Sequence, residues 1–381
     1  MACACAELMG GRIDAALVAG PRMSGVQIPK GWQHVDSSHP FPNAGSVDAG
    51  RASLTFASEA RNRRLLVLLS GGASSMLCAP VEDISLADKV AATRALMNAG
   101  VAIHDLNCVR KHLSRVKGGR LAVAPPASLT LAVSDVHHPI ADDPSVIGSG
   151  PTVPDPTTFA QALHVAGQVD LMPQAVLKHL HKGAAGQVEE TIKPGDARLA
   201  NARFIVVANR ETALRAAVEG AAALGYTVAT LPDPTYGEAR VAAKSFAARA
   251  FQLCQQERKP LCVLAAGETT VRVSGRGIGG RNQEFALALI PEIADFAIPG
   301  GNGHAACLVS SIATDGIDGP TPAAGAIVDS TTLTRARQAG LEPHRALEEN
   351  DAYPFFRTLD DLVVLGPTGT NVGDLQVMLF S

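Results

Sequence analysis

The chain has 381 residues, a net charge of −3, and 46% hydrophobic against 18% charged residues. That balance excludes a largely disordered chain. The lack of a basic excess, with only 4% aromatic residues, excludes a nucleic-acid binder built on phosphate neutralisation or base stacking. Length suggests two domains. Residues 1–9 read as a helix already under way with no N-cap residue before it, and a strand-like run, 13–19, follows Gly10-Gly11. Apolar runs then recur at 65–69, 129–133, 204–208, 226–231, 261–265, 305–313 and 362–365. Helical stretches stand among them at 174–187, 211–224 and 237–257. Continuous apolar strands alternating with helices predict an α/β chain of mainly parallel sheets. The turn chemistry of Lys193-Pro194-Gly195-Asp196 predicts a boundary there, giving domains 1–193 and 194–381.

No apolar run reaches the ~18 residues of a membrane span, and residues 1–7 have neither the basic region nor the apolar stretch of a signal peptide. The seven cysteines are scattered, with no Cys-x-x-Cys pair. Zinc sites and disulfide frameworks therefore have no support, and buried free thiols in a reducing cytoplasm are expected.

Ligands of open parallel sheets bind beyond the carboxyl ends of the strands. The segments that follow the apolar runs are Ser70-Gly71-Gly72-Ala73-Ser74-Ser75, Ser134-Asp135, Gly267-Glu268, Thr314-Asp315-Gly316-Ile317-Asp318-Gly319 and Gly366-Pro367-Thr368-Gly369-Thr370-Asn371. All are rich in small residues, hydroxyls or carboxylates; glycines let backbone N–H groups approach an anion. A tight turn accounts for any one of them, but not easily for all.

A basic cluster follows Asn107: Arg110, Lys111, Arg115 and Lys117, ending in Gly118-Gly119. On a helix, Arg110, Ser114 and Lys117 would share a face, either solvated or lining an anion pocket. Gly275, Gly277 and Gly280 match G-x-G-x-x-G, but the alternating run 269–274 before them reads as a half-exposed antiparallel strand, which argues against a dinucleotide turn. That loop carries Arg276 and Arg281, cations suited to a phosphoryl group. It lacks periodic apolar residues, so loss of Arg281 is expected to spare folding. Asp315 and Asp318 are too few and wrongly spaced for an EF-hand, but magnesium needs only one or two carboxylates beside substrate phosphates; helix capping is the other reading. His137-His138-Pro139 reads as surface loop. Walker A, G-x-S-x-G and protein-kinase signatures are absent.

Seven motifs in order, Leu69 to Ser75, Asn107 to Ser114 with Lys117 to Gly119, Ser134 to Val136 with Ser149 to Thr152, Gly267 to Thr270, Gly279 to Phe285, Thr314 to Pro320 and Gly366 to Asn371, resemble the class II glycerate 2-kinases, whose C-terminal part is the MOFRL domain. The resemblance runs the length of the chain. It implies a Rossmann-like N-terminal domain and a MOFRL-type C-terminal domain with the site in the cleft between them. It also implies ATP-dependent phosphorylation of D-glycerate at the 2-hydroxyl, with magnesium. Some relatives were once labelled hydroxypyruvate reductases, so an NAD(P)H-linked reductase is one alternative; an impaired, anion-binding relative is another. Family members begin earlier, with a strand and a Gly-Ala-Gly-Lys-Ala loop whose lysine is thought catalytic. Met1 falls just after where that loop would end, so weak binding and slow turnover are expected of this chain. At 137–141 relatives have a shorter Gly-containing link.

On this reading Arg281 serves the transferring phosphoryl group. Ser70, Gly71, Gly72, Ser74 and Ser75 line the phosphate or glycerate pocket, and Arg110, Lys111 and Lys117 hold the substrate carboxylate or ATP phosphates. Asp315, then Asp318, binds magnesium, and Asp135, Gly369, Thr370 and Asn371 approach the nucleotide. The expected partners are small molecules in the cytoplasm, with neither nucleic acid nor membrane, and a homodimer is left open.

Overall fold

In the computed structural model, which describes residues 1–22, 27–294, 296 and 307–381, the apolar runs become strands at nearly their expected bounds. Strands β1 (Leu17–Ala19) and β2 (Gln33–Val35) pair in parallel. A second sheet joins β3 (Arg64–Leu69), β4 (Ala127–Val133) and β5 (Ala202–Ala208) in that order, β3 parallel to β4. Contacts divide the chain into two units, Met1–Val136 with Ile140–Val207, and His137–Pro139 with Ala208–Ser381. The division therefore falls at the end of β5, between Val207 and Ala208, and not at the 193–196 turn. The reason is pairing: β5 lies against β4, so that turn only returns the chain to the first unit's sheet.

Three helices of the first unit start where side chains satisfy the orphan N–H groups. Asn43, Ser85 and Thr158 each form a capping box, before Ala44–Glu59, Leu86–Asn98 and Phe159–Gly167. Leu96, Val109, Phe159, Val176 and Leu180 form one core cluster. The helix Ile103–His112 ends at His112, so Ser114 and Lys117 lie beyond it and share no helix face with Arg110. Gly118 (φ 61°) and Gly119 (φ 82°) turn the chain there in the left-handed region.

The second unit holds β6 (Thr227–Thr230), β7 (Thr235–Glu238), β8 (Leu261–Thr270), β9 (Cys307–Ala313), β10 (Gly325–Asp329), β11 (Leu362–Val363) and β12 (Asp374–Phe380). The sheet order is β11-β10-β9-β12-β8-β6, and β7 also pairs with β8. Parallel pairing holds for β6 and β7 on β8. The remaining pairs are antiparallel: β12 inserts between β8 and β9 and runs against both, and β10 runs against β9 and β11. Thr269 and Thr270 end β8 in parallel register with β7, and 271–274 are not a strand, which replaces the antiparallel strand expected at 269–274. Of the run at 305–313, residues 305 and 306 lie outside the described residues.

Along β9 and β12 every second residue is buried, and that face changes chemistry along its length. Phe380, Met378, Cys307 and Val309 belong to an apolar core with Phe246 and Phe285. Further along, Gln376 stands opposite Ser311 and Asp374 opposite Ala313. The sheet thus becomes polar inside at the end where β8 and β9 finish and β12 begins.

Candidate active site

At that polar end, the N-terminus of the helix Arg281–Ala288 packs against side chains from three segments. Arg281 donates from Nε and Nη2 to the two oxygens of Asp374 (2.7 and 2.9 Å), and its Nη1 lies 3.1 Å from Glu268 Oε1. The Asp374 side chain is fully buried, that of Arg281 28% exposed. Burial disfavours the Arg281 charge, but the two carboxylates outweigh it and raise the pKa. Asn282 donates to Asp374 (2.9 Å) and accepts from Ser311 (2.6 Å). Glu284 is held by Arg240 (2.7 Å) and Asn350 (2.9 Å).

Asp318 sits under the same helix start, 1% exposed. Its Oδ1 accepts the backbone N–H of Asn282 (3.0 Å), and its Oδ2 that of Gln283 (2.8 Å). Burial raises its pKa to about 6, against the pull of those N–H groups and with help from Asp374. Asp318 caps the helix: both of its oxygens accept backbone N–H groups, and Oδ1 also takes the Asn282 side-chain amide, so most of its acceptor capacity is already used. It also occupies the N-terminus of the helix that follows the G-x-G-x-x-G loop, the place where such a loop would hold a dinucleotide pyrophosphate. The loop itself is anchored, since Asn350 Oδ1 accepts from the N–H groups of Ser274 and Gly275, and Asp351 Oδ1 from that of Ile278.

The two remaining loops of this end are laced together. Thr314 donates to Gly373 O (2.7 Å), and Thr368 to Thr314 O (2.6 Å). Gly316 (φ 84°) turns in the left-handed region, and a Cβ there would lie 2.0 Å from Gly366 O, so no other residue fits. Asp315 Oδ1 accepts from Ile317 N (3.0 Å). Thr368, not Thr370, makes the tie between the loops, while Asn371 Oδ1 accepts from Gly373 N. His137, half-buried, backs onto Gly373, and His138 stacks on Tyr236 at 5.5 Å. Among the described residues no three His, Cys, Asp or Glu side chains group as a metal site. A magnesium ion that shares substrate phosphates needs less; Asp315, half-buried with one oxygen on Ile317 N, has more free acceptor capacity for one than the buried Asp318.

In the first unit the loop after β3 enters the short helix Ala73–Met76 through Gly72 (φ 79°). Ser70 is exposed and Gly71 half-buried. Ser75 donates to Pro40 O (2.6 Å) and is structural. Ser74 Oγ lies 2.7 Å from Ser149 Oγ, and Ser149 donates to Asn107 Oδ1 (2.9 Å). Lys117, 1% exposed, donates to Ser74 O, Ser74 Oγ and Gly148 O at 2.8, 2.9 and 3.2 Å. Lys111 is drawn elsewhere, to Asp155 (3.3 Å), whose carboxylate also takes Thr157 and Thr191. That pair is buried, and it commits the Lys111 ammonium to a carboxylate of the fold, unlike Lys117, whose acceptors are neutral. Asp135 is half-buried just beyond β4, after the buried Ser134.

The structure thus gathers Ser74 with Lys117 in one unit and Arg281, Asp315, Asp318 and the 366–371 loop in the other. Asn107, Ser149, Asp374 and Glu268 were quoted or passed over in the sequence without a role. Their motif positions marked the first two and Glu268; nothing marked Asp374. Five cysteines are buried and free as expected, but Cys3 is exposed and Cys5 half-buried.

The fold and site define a two-unit α/β protein with a mixed C-terminal sheet and polar loops gathered at its strand ends. The chain matches the domain of unknown function DUF4147 over residues 1–181 and the MOFRL family over residues 261–374. It is 34% identical over 354 residues to a glycerate 2-kinase of Pyrococcus horikoshii, covering 91% of this chain and 77% of the relative. A protein of Agrobacterium vitis named as a candidate hydroxypyruvate reductase is 38% identical, with 93% and 90% covered. The crystal structure of a glycerate kinase from Thermotoga maritima superposes with a TM-score of 0.84 at 33% identity, over 100% of this chain and 88% of that one. The chain belongs to the MOFRL family of glycerate 2-kinases.

Proposed function

We propose that this chain transfers the γ-phosphoryl group of ATP to the 2-hydroxyl of D-glycerate, giving 2-phosphoglycerate. The observation that carries the reading is the likeness to glycerate 2-kinases along nearly the whole chain. The site supports it. Phosphoryl transfer leaves the protein chiefly positioning and charge stabilisation, and Arg281 is a cation held in a fixed direction by Asp374 and Glu268 before any ligand arrives. Asp315 would supply one carboxylate to magnesium, which when bound neutralises phosphate charge. The loops at 314–319 and 366–371 hold each other in shape, and on this reading Gly369, Thr370 and Asn371 would face the nucleotide. In the first unit Ser74 and its loop receive the hydroxy acid. The protein works on small molecules in the cytoplasm; among the described residues no helix is long and apolar enough to cross a membrane.

The hydroxypyruvate reductase name of some relatives supports a second reading. Against it stands Asp318, whose carboxylate fills the helix N-terminus that a dinucleotide would need. The test is incubation with D-glycerate and Mg·ATP, with the product identified by phosphorus NMR. The expected product is 2-phosphoglycerate with matching ADP, and NADH oxidation by hydroxypyruvate at background. Only 3-phosphoglycerate, or no ADP, would sink the kinase reading.

A further inference from the structure

The first unit buries more positive charge beside the Ser74 loop than it neutralises. Lys117 has its three ammonium protons on Ser74 O, Ser74 Oγ and Gly148 O. Lys89, 3% exposed, donates to Leu113 O at 3.0 Å. These acceptors are neutral. The hydrogen-bond direction reinforces the point. Ser149 gives its proton to Asn107 Oδ1, so Ser74 must donate to Ser149, and the whole relay runs away from the Lys117 ammonium.

Arg110 completes the group. It stands one turn after Asn107 on the helix Ile103–His112, on the face that meets the Ser74–Ser149 junction. Its Nε is sealed from solvent and has no hydrogen-bond partner. Burial lowers the pKa of all three cations, with Lys89 at about 8; Arg110 and Lys89 further depress Lys117, and only the Cys78 thiol acts in favour of charge on all three. Arg110 as a whole is half-buried, so the rest of its guanidinium reaches the surface beside the sealed Nε. A sealed donor with no partner is costly unless something occupies it, and two buried lysines beside it on neutral acceptors leave a local positive field that an anion would offset.

We propose that Lys89, Arg110 and Lys117 form a binding site for a compact oxyanion, a carboxylate or phosphate group of the ligand, with Arg110 as its direct, two-pronged ligand and the two lysines supplying field. Lys117 also ties the Ser74 loop to Gly148, so it positions while Arg110 binds. The site itself does not depend on the kinase reading; only the identity of its natural occupant does.

The test is calorimetric titration of the full chain and of Arg110→Gln and Arg110→Lys with D-glycerate, Mg·ATP and inorganic phosphate separately, alongside ligand-free melting. If the carboxylate occupies the site, Arg110→Gln weakens D-glycerate at least ~10-fold and leaves Mg·ATP unchanged, while Arg110→Lys recovers part, keeping charge but losing the fork. Loss of Mg·ATP or phosphate affinity with D-glycerate intact assigns the site to a phosphate. Ligand-free Arg110→Gln should melt about 2–4 °C higher, since a half-buried cation that repels two buried lysines is removed. Titrating the wild type at pH 8 in buffers of different ionisation enthalpy reads the site without any variant. An anion that restores the charge on Lys89 takes up at most about half a proton on binding. Wild-type affinities in Arg110→Gln for all three ligands, no binding of any by the wild type, or binding without proton uptake would each overturn the proposal. Arg110-dependent phosphate binding with no D-glycerate binding would keep the site and remove the kinase reading.

Discussion

Arg281 has both edges of its guanidinium committed, to Asp374 and to Glu268. A loop arginine among glycines reads as dispensable to folding, but the pair with a buried aspartate makes it structural as well. Arg281→Ala leaves Asp374 buried without its cation, at a cost of about 3–5 kcal/mol, visible in chemical denaturation. It should also lower kcat by about 10²–10⁴, the scale of one transition-state donor or arginine finger. Asp374→Asn separates the two roles: it loosens the aim of Arg281 and keeps the charge, so kcat should fall less than in Arg281→Ala at comparable stability. Near-normal turnover in Arg281→Ala would move the phosphoryl cation elsewhere. Lys111 gives the opposite contrast. Its ion pair with Asp155 is 3% and 0% exposed, so Lys111→Met should lose about 3–5 kcal/mol of stability and, where still folded, bind D-glycerate with the wild-type Kd. A Kd shifted without a loss of stability would return Lys111 to the pocket.

The helix Arg281–Ala288 shows what an element's sequence can and cannot reveal. Most strands were legible because apolar runs are local signals, whereas of the helices only those near 2–9, 174–184, 210–223 and 239–256 were legible, the shorter ones lacking a run of residues long enough to show a period. Strand direction was not: a buried run reads alike in parallel and antiparallel sheets, and only the insertion of β12 beside β8 and β9 fixes it. The site was half legible. Ser74, Lys117 and Arg281 stand in glycine-rich loops that announce themselves, whereas Asp374, Asn350 and Asp351, which hold Arg281 and its loop, lie roughly 70 to 90 residues away and carry no local mark. The cap of this helix, Asp318, also comes from a distant loop, and it makes a pH prediction. Its folded pKa, about 6, lies above the unfolded value near 3.8. The native state therefore binds more protons between those values, and stability from this group is full below pH ~4 and lost as pH rises through 6. Two pKa units correspond to about 3 kcal/mol. Asp318→Asn has no such titration, so the stability of the wild type relative to this variant should shrink between pH 4 and 6.5 in urea melts. A difference that stays flat across that range would mean that the carboxylate keeps its charge on folding.

On the scale of the whole molecule, the two units have separate interiors. The core around Phe285, Phe246, Val309 and Met378 draws only on the second unit, and the core around Phe159, Leu96, Val109 and Leu180 only on the first. No described residue belongs to both. Each core has its own aromatic centre, with Phe159 edge-on to His112 and His179, and Phe285 beside Phe246. Chains with separate hydrophobic cores commonly depart from a single two-state transition, so calorimetry should resolve two melting events. Phe285 is 0% and Phe159 1% exposed, and truncating a buried phenylalanine costs about 3–5 kcal/mol. At roughly 2–4 °C per kcal/mol for units of this size, Phe285→Ala should lower one transition on the order of 10 °C and leave the other in place, and Phe159→Ala should do the reverse. Ligands then report on the units separately. If D-glycerate occupies the Arg110 cluster it raises the transition that Phe159→Ala lowers, and if Mg·ATP binds at the Arg281 end it raises the one that Phe285→Ala lowers, each in proportion to ln(1 + [L]/Kd). If both variants shift one common transition by the same amount, the cores melt as a single cooperative body, and a ligand on either unit must stabilise the whole chain.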